Sequence, residues 1–332
     1  MSAEKSFFKL INERNEILWA PCIYDCLSAR VAEAIGFEAA TISSSEMRDS
    51  LTGGRPRGLI SMDEMLFATE RIVESSKMAI FADTECGGAN PMDTYKNIKR
   101  FAEAGVMAVN IEDDSVVRVG NTFIDGQVFL SAEQWAMHVQ AAVEAVKGTE
   151  CMVIARTNGK GGGSKKFGGG YIGLSPEAMF GLDEAIRRMQ LGHKMGAHMT
   201  MIQSINAHTE KESWKRIHDL VPGWMCYPDL HADDGISDVK DVDELYKLGF
   251  QLVTCHCFGK GAIAGMIKYG QSVFKSKNTV FTENDDYLGA SKSTLAKMKE
   301  KSFCEDYKRV ERLLEESYPQ VQNFKESFEK VR

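Results

Sequence analysis

Two acidic side chains stand one residue apart at the end of an apolar segment, in the stretch FADTECGGAN (residues 81–90). Asp83 and Glu85 follow the apolar run KMAI, and a glycine pair and Asn90 come directly after them. Such a stretch is either a strand end with a solvated turn or part of an ion site. Carboxylates pressed together without a cation repel one another. Because hard oxygen donors suit Mg²⁺ or Mn²⁺, the pair raises the hypothesis of a divalent cation site.

Eight short apolar segments recur along the chain, separated by stretches with apolar residues at the helical spacings of three and four. The segments are residues 17–24, 38–45, 77–85, 107–114, 151–157, 199–205, 224–229 and 251–257. Several helical stretches end in glycine, which readily forms a left-handed C-cap. Strands that alternate with helices pair in parallel. Eight such units predict an α/β fold, a closed (β/α)8 barrel of the TIM type, rather than an open doubly wound sheet.

A barrel of this type carries its active site at the carboxyl ends of the strands. The polar residues that end the predicted strands are therefore the candidate functional residues. They are Ser43, Ser44, Ser45, Asp83, Glu85, the acids 112–114, Arg156, Gln203, Asp229 and His256.

Three of these acids, Asp83, Glu85 and Glu112, would end neighbouring strands. Mg²⁺, or Mn²⁺ in its place, would bind Asp83 directly, while Glu85 and Glu112 hold metal-bound water. The alternative is that the acids are solvated on separate turns. Arg156 offers a forked donor for a substrate carboxylate or phosphate, or a salt bridge that offsets the acids. Together these groups suit a small 2-oxo or 2-hydroxy acid and the enolate formed when an adjacent bond breaks.

The composition excludes several classes of protein. The 332 residues carry a formal charge of −7 with a pI of about 5.6, which argues against a nucleic-acid partner. No apolar run has the roughly 20 residues needed to cross a bilayer, so we expect no membrane partner. The N-terminal segment mixes charges with apolar residues, so it is interpreted as an amphipathic helix and not a signal peptide.

The eight cysteines form no CxxC pair. Cys255 and Cys257 flank His256, but no second ligand pair stands at a spacing suited to zinc. Reduced cysteines in a cytoplasmic protein are the favoured interpretation.

The predicted organisation is an N-terminal helix at 1–16, a catalytic barrel at 17–284 and a helical tail at 285–332 that packs on the barrel or on another subunit. Two segments exceed an ordinary βα loop: residues 114–130, and a glycine-rich stretch at 158–176 with three lysines. The second is either a flexible surface loop or a mobile lid that lends Lys160, Lys165 or Lys166 to an anionic substrate.

Several of these segments together resemble the isocitrate lyase/phosphoenolpyruvate mutase superfamily, over roughly residues 17–275. The matching stretches are YDCLSARVAEAIGF, ISSS, FADTECGGAN, NIEDD, IART and GLDEA. The resemblance implies a TIM-type barrel, Mg²⁺, enolate chemistry, and homo-oligomers, usually tetramers, that exchange a C-terminal helix. It also implies that Asp83 is the direct metal ligand and that Arg156 binds a substrate carboxylate or phosphonate. It further implies that Glu85 and Glu112 hold metal-bound water and that the acid end of the substrate is bound by Ser43, Ser44 and Ser45. By the same resemblance, Gln203 stands where lyases tend to carry glutamate and mutases histidine, and Asp229 stands at the polar strand-seven position.

The departures from the family pattern concern the proton donor. Family lyases carry a cysteine on the loop after strand four, and here Asn121 stands at that position with no cysteine anywhere from 87 to 150. Asn121 and the residues after it look more like the mutase pattern, yet Asp114 replaces a lysine typical of mutases. Arg57 also stands where the family carries an aspartate.

Three functions therefore stay open. The first is C–C cleavage by a lyase or decarboxylase, with protonation from water, from water held by Asn121, or from a group such as His256. The second is P–C chemistry, as a phosphoenolpyruvate/phosphonopyruvate mutase or a phosphonopyruvate hydrolase. The third is an inactive barrel that serves as a binding protein, which the intact acids and Arg156 argue against.

Overall fold

The computed structural model describes most of the barrel and little of the C-terminal segment. The described residues are 6–54, 60–114, 129–160, 180–203, 211–228, 230, 232–233, 236–237 and 242–279, with 294, 297, 309–310, 312–313 and 316 further on. Four sequence-based candidates, Asn121, Asp229, Lys165 and Lys166, lie outside these ranges, as does Arg57. The proposed domain limits therefore stay a prediction.

Eight parallel strands close into a barrel, and their order around it is the order along the chain. They are β1 Leu18–Ile23, β2 Ala39–Ile42, β3 Ala79–Ala82, β4 Ala108–Glu112, β5 Met152–Thr157, β6 Met199–Ile202, β7 Trp224–Tyr227 and β10 Leu252–Cys255. Two further short strands, β8 Ala232–Asp233 and β9 Ile236–Ser237, form a separate antiparallel pair. Each of the eight apolar segments contains one barrel strand, so the predicted TIM-type barrel is confirmed.

Helices connect the strands and surround the barrel. They are α1 Phe7–Asn12, α2 Cys26–Ile35, α3 Ser44–Thr52, α4 Met62–Ser75, α5 Pro91–Glu103, α6 Ala132–Ala145, α7 Gly181–Lys194, α8 Lys211–Leu220, α9 Val242–Lys247 and α10 Phe258–Ser276. Serine side chains cap the starts of α4 and α6 in reciprocal capping boxes, which satisfies amide donors that a helix start leaves open. Within the described ranges, no helix combines the length and the apolar character needed to span a bilayer.

The amino end of the barrel is filled by apolar side chains and closed by α1. Phe7, Leu10 and Ile11 of this helix are buried against the strand residues Leu18 and Phe81. Burial of a side chain as large as phenylalanine contributes about 1.5–3 kcal/mol to the free energy of unfolding, so the packing of α1 on the barrel stabilises the fold.

Close packing of helices on strands positions the residues at the carboxyl end. Trp135 of α6 donates from Nε1 to the Ile111 carbonyl of β4 at 3.1 Å. Gly192 of α7 lies so close to β5 that an added Cβ would stand 2.7 Å from the Ala155 methyl group. In the β4–β5 register Glu112 stands opposite Arg156, so the two chemically distinctive residues of these strands are direct neighbours.

Candidate active site

The Asp83 carboxylate is held from three directions just after β3. Its Oδ2 accepts a hydrogen bond from Ser44 Oγ at 3.0 Å, and its Oδ1 accepts one from Asn110 Nδ2 at 2.8 Å. The Glu85 amide also donates to Oδ1, at 3.3 Å. The side chain stays partly exposed, at 15%. These donors orient a carboxylate that can still reach a ligand at the barrel mouth, by which we mean the end of the barrel formed by the carboxyl ends of its strands.

The turn after Asp83 depends on its glycines. Glu85 adopts a φ of 53°, an unusual left-handed value for a residue with a side chain, and its carbonyl accepts from the Glu112 amide at 2.8 Å. Gly87 has a φ of 80°, and a Cβ there would lie 2.7 Å from Thr94 Cγ2. Asn90 then caps α5 by accepting two amide hydrogen bonds. The glycine pair therefore lets the acidic turn fold back against α5.

Glu112 and Arg156 form an ion pair deep in the mouth. Arg156 Nη1 lies 3.0 Å from Glu112 Oε1 and 3.7 Å from Asp83 Oδ2, and the side chains of Arg156 and Glu112 are 11% and 2% exposed. Asn158 bridges the pair, because its Nδ2 donates to Glu112 Oε2 at 2.7 Å and its Oδ1 accepts from Arg156 Nε at 3.0 Å. The guanidinium is thereby fixed between two carboxylates.

Negative charge exceeds positive charge around Glu112. Burial is the main cause that raises the pKa of its carboxyl well above the usual range, and the charges of Glu85, Asp83 and Asp114 raise it further. Arg156 opposes the shift. A cluster of carboxylate oxygens with this excess of charge fits a hard divalent cation, which would relieve the repulsion.

The carboxylates are not arranged as a complete set of direct ligands. In the described part of the chain, no three Asp, Glu, His or Cys side chains are grouped so that they could hold one ion. A Mg²⁺ ion usually keeps several waters and takes few protein ligands, so this spacing is compatible with binding through Asp83 and water. That ligand set stays a prediction.

The acids 112–114 separate into different environments. Asp113 is fully buried and accepts hydrogen bonds from Thr157 Oγ1, from the backbone N–H of Asn158 at 2.9 Å and from Arg188 Nη1 at 3.2 Å. Burial raises the pKa of its carboxyl against the effect of these donors. Asp113 thus ties β4 to β5 and α7, while Asp114 forms a β-bridge with Phe129.

The predicted serine turn forms the start of α3. Ser43 is the N-cap, with Oγ accepting from the Glu46 amide at 3.2 Å and lying 3.0 Å from Ser45 Oγ. Ser44 binds Asp83, which places this helix start beside the acids. A helix N-terminus attracts anions, so the turn suits the acid end of a substrate.

Gln203 follows β6, the neighbour of β5, and His256 follows β10, the neighbour of β1. Gln203 is 8% exposed, and its backbone N–H donates to the Thr157 carbonyl at 2.9 Å. His256 Nδ1 lies 3.1 Å from Glu46 Oε1, with side chains 28% and 14% exposed. Because Ser44 and Glu46 are both on α3, this one helix contacts Asp83 on one side and His256 on the other.

Three polar residues of the site were missed by sequence reasoning, namely Asn110, Asn158 and Glu46. Asn110 stands two residues before Glu112 and Asn158 two after Arg156, so the period-2 rule for a strand face could have identified them. Glu46 carries no such signal, because its partner is 210 positions away in the sequence. Asn121 and Asp229 lie outside the described residues, so their predicted roles stay predictions.

Comparisons with known proteins agree with this architecture. A 2,3-dimethylmalate lyase of Eubacterium barkeri is 25% identical over 233 residues, which cover 70% of this chain and 73% of the relative. The petal death protein of Dianthus caryophyllus is 25% identical over 285 residues, covering 83% and 80%. The crystal structure of a phosphoenolpyruvate phosphomutase from Streptomyces platensis subsp. rosaceus matches with a TM-score of 0.72 at 20% identity, covering 94% of this chain and 98% of that one.

The family model described as phosphoenolpyruvate phosphomutase matches residues 7–267, which is most of the chain and all eight barrel strands. Identities near 25% to individual relatives mark a divergent member. The resemblance inferred from the motifs is thereby confirmed, and the chain belongs to the phosphoenolpyruvate phosphomutase family within the isocitrate lyase/phosphoenolpyruvate mutase superfamily.

Proposed function

We propose that this protein is a Mg²⁺-dependent enzyme that cleaves a C–C bond next to a small 2-oxo or 2-hydroxy carboxylate, as a lyase or decarboxylase. The superfamily comprises lyases, decarboxylases and phosphoenolpyruvate mutases. The observation that carries the proposal is the ion cluster at the barrel mouth, in which Arg156 lies within 4 Å of both Asp83 and Glu112.

The described residues divide the work of binding. Arg156 is held by Glu112 and Asn158, so its guanidinium is oriented before a substrate arrives and can bind a carboxylate. The Ser43–Ser45 turn offers hydroxyl groups and helix-start amides to an anionic end. A bound Mg²⁺ would be held by Asp83, with Glu85 and Glu112 on its water, and would stabilise negative charge on an enolate oxygen.

Protonation needs a donor other than the loop cysteine of family lyases, because the chain has no cysteine from 87 to 150. Solvent water and His256 are the donors that this proposal uses. Imidazole titrates near neutral pH and is a common general acid. Glu46 holds the His256 ring through Nδ1, and the proposal assigns the transferred proton to Nε2.

P–C bond chemistry, as in phosphonopyruvate mutation or hydrolysis, is the second candidate function. The missing loop cysteine favours it, and so does Asn121 at that position. Assembly into a homo-oligomer belongs to the proposal as well. It is supported by α10, where Ile263, Met266, Ile267 and Phe274 are more than half exposed.

The test is incubation with Mg²⁺ and a panel of phosphoenolpyruvate, phosphonopyruvate, oxaloacetate, isocitrate, 2-methylisocitrate and 2,3-dimethylmalate, followed by ³¹P and ¹H NMR. Release of pyruvate, glyoxylate, succinate or another carboxylate product from one of the phosphorus-free acids supports the C–C reaction. Interconversion of phosphonate and phosphate ester signals, or release of pyruvate with inorganic phosphate from phosphonopyruvate, rejects it in favour of P–C chemistry.

The control is the same panel after removal of divalent ions with a chelator, together with thermal unfolding at increasing Mg²⁺. If no compound is turned over and Mg²⁺ leaves the unfolding temperature unchanged, both enzyme functions are rejected and the binding-protein alternative remains.

A further inference from the structure

Strand β10 ends in a three-residue turn formed by Cys255, His256 and Cys257, which we call the thiol turn. It brings the thiols of Cys255 and Cys257 together. The Cys257 amide donates to the Cys255 carbonyl at 3.2 Å, the i to i+2 bond of a γ-turn. The two Sγ atoms lie 3.9 Å apart. A disulfide brings sulfurs to about 2.05 Å, so each needs to move by only about 1 Å.

The two thiols differ in access to solvent. Cys257 is exposed, whereas Cys255 is 8% exposed beneath it. The contact with the Cys255 thiol is the main cause that lowers the pKa of Cys257 to about 7, with a smaller contribution from His256, while partial burial and Glu46 oppose it. By contrast, burial raises the pKa of Cys86 and of Cys151 to about 12. An exposed thiol that ionises at neutral pH is the reactive kind.

We propose that Cys257 and Cys255 form a redox-active dithiol, which hydroperoxides convert into an intramolecular disulfide that alters the barrel mouth through His256. Transient disulfides of this kind are the form in which cytosolic proteins use cysteine oxidation. The proposal concerns residues that the C–C cleavage mechanism leaves unused, apart from His256.

The chemistry balances in two steps. The Cys257 thiolate attacks a hydroperoxide oxygen, so that an S–O bond forms, the O–O bond breaks, and the leaving alkoxide or hydroxide takes a proton from solvent. The Cys255 thiol then attacks the Cys257 sulfur, so that the S–S bond forms and hydroxide leaves with the thiol proton as water. Two thiols and one hydroperoxide give a disulfide, one alcohol or water, and one further water. A dithiol reductant reverses the oxidation by thiol–disulfide exchange.

Two contacts connect the thiol turn to Asp83 in the ion cluster at the barrel mouth. His256 Nδ1 meets Glu46 on α3, and Ser44 on the same helix donates to Asp83. Helix α10 packs closely on α3 here, because a Cβ added to Gly259 would lie 2.9 Å from Glu46 Cδ. Closing the disulfide pulls on both neighbours of His256, so we expect its contact with Glu46 to change.

The chain offers a clean measurement of the disulfide. Cleavage after Lys247 and Lys260 releases residues 248–260, which contain Cys255 and Cys257 and no other cysteine. The full-length protein is treated with hydrogen peroxide at neutral pH, blocked with N-ethylmaleimide and digested with trypsin. We expect this peptide to lose the mass of two hydrogens, to escape the blocking reagent, and to regain both thiols after dithiothreitol.

Variants separate the two roles. Cys255→Ser is expected to stop at a sulfenic acid on Cys257 that dimedone labels, and Cys257→Ser to leave the peptide unoxidised. Cys26→Ser is the matched control, because Cys26 is also exposed, and it should oxidise like the wild type. A peptide that stays fully reduced while Cys26 is oxidised would overturn the proposal, as would a disulfide between two chains.

The coupling to His256 has its own readout, which does not require turnover. The ring signals of His256, assigned by comparison with His256→Gln, should shift in NMR spectra between the reduced and oxidised protein. Unchanged signals in a protein whose peptide has lost two hydrogens would reject the coupling. Both results are independent of which reaction the barrel catalyses, so failure of the proposed function leaves this test intact.

Discussion

The two ends of the barrel are chemically opposite, because one is filled by apolar side chains and the other by charged ones. At the amino end, Phe7 and Leu10 of α1 pack on apolar strand residues. At the carboxyl end, the buried Glu112 and the partly buried Asp83 and Arg156 take their place. Strand β4 itself makes the contrast, since it begins at the fully buried Ala108 and ends at Glu112, which is 2% exposed.

The difference teaches where stability and chemistry reside. Burial of apolar groups stabilises a fold, whereas burial of charged groups costs free energy unless partners compensate for it. The carboxyl end has such partners in Asn110 and Asn158, yet the pKa of Glu112 stays raised. We therefore expect substitutions at the two ends to act on different observables.

The largest expected effect is on turnover, from Asp83→Ala. Loss of the carboxylate that would hold the cation should lower kcat by about a thousandfold or more, because stabilisation of the enolate charge is lost. Stability should change little, since Arg156 keeps Glu112 as its partner. Steady-state kinetics and thermal unfolding measure the two properties on one sample. Turnover that survives this change would show that the cation site is elsewhere.

Phe7→Ala should do the reverse at the amino end. Phe7 is fully buried, so its truncation is expected to lower the free energy of unfolding by about 3–5 kcal/mol while kcat per folded molecule is retained. Denaturant unfolding checks the first part and kinetics the second. Lys9→Ala is the matched control on the exposed side of α1 and should change stability by less than about 0.5 kcal/mol. A large drop in kcat with Phe7→Ala would mean that the two ends are coupled.

Local sequence pattern was sufficient to predict the barrel. The eight apolar segments each contain a strand, because a strand buried on both faces is a short apolar run that the sequence displays directly. The helix-ending glycines 36, 105, 196 and 249 have φ values between 94° and 120°, as the C-cap rule requires. The short β8–β9 pair has too few residues to produce such a pattern, and it was not predicted.

The site was predicted in its acids and missed in its connections. Asp83, Glu112 and Arg156 stand out by charge at strand ends, whereas the bridge from Asn158 to Glu112 depends on strand register and joins positions 46 apart in the sequence. Asp113 is identical in type to Asp83, but contacts with Thr157 and Arg188 from distant elements give it a structural role. Such contacts follow from tertiary packing, which no local pattern encodes.

Asn158→Ala tests how much the connections at the carboxyl end matter. The change removes the donor to Glu112 and the acceptor for Arg156 Nε, so the guanidinium loses its fixed orientation. Loss of a group that orients a functional side chain typically costs about 10–100-fold in activity, and we expect kcat/KM to fall by that amount. Asn97→Ala is the control, since Asn97 donates to the Gly87 carbonyl and to neither charged residue. Equal losses in both variants would mean that Asn158 acts only through stability.

The smallest expected effect compares one thiol from each end. Cys257 at the mouth has a pKa lowered to about 7, and Cys151 just before β5 at the amino end has a pKa raised to about 12 by burial. Because the thiolate reacts, alkylation of Cys257 by iodoacetamide should accelerate about tenfold from pH 6 to pH 8 and then level off. Cys151 should stay unlabelled in the folded protein across this range. Peptide 148–156 reports Cys151, and fragmentation of peptide 248–260 assigns its label to Cys257 rather than to Cys255. If Cys257 reacted no faster at pH 8 than at pH 6, its pKa would not be lowered by its surroundings at the carboxyl end. The contrast between the two ends would then be confined to the carboxylates.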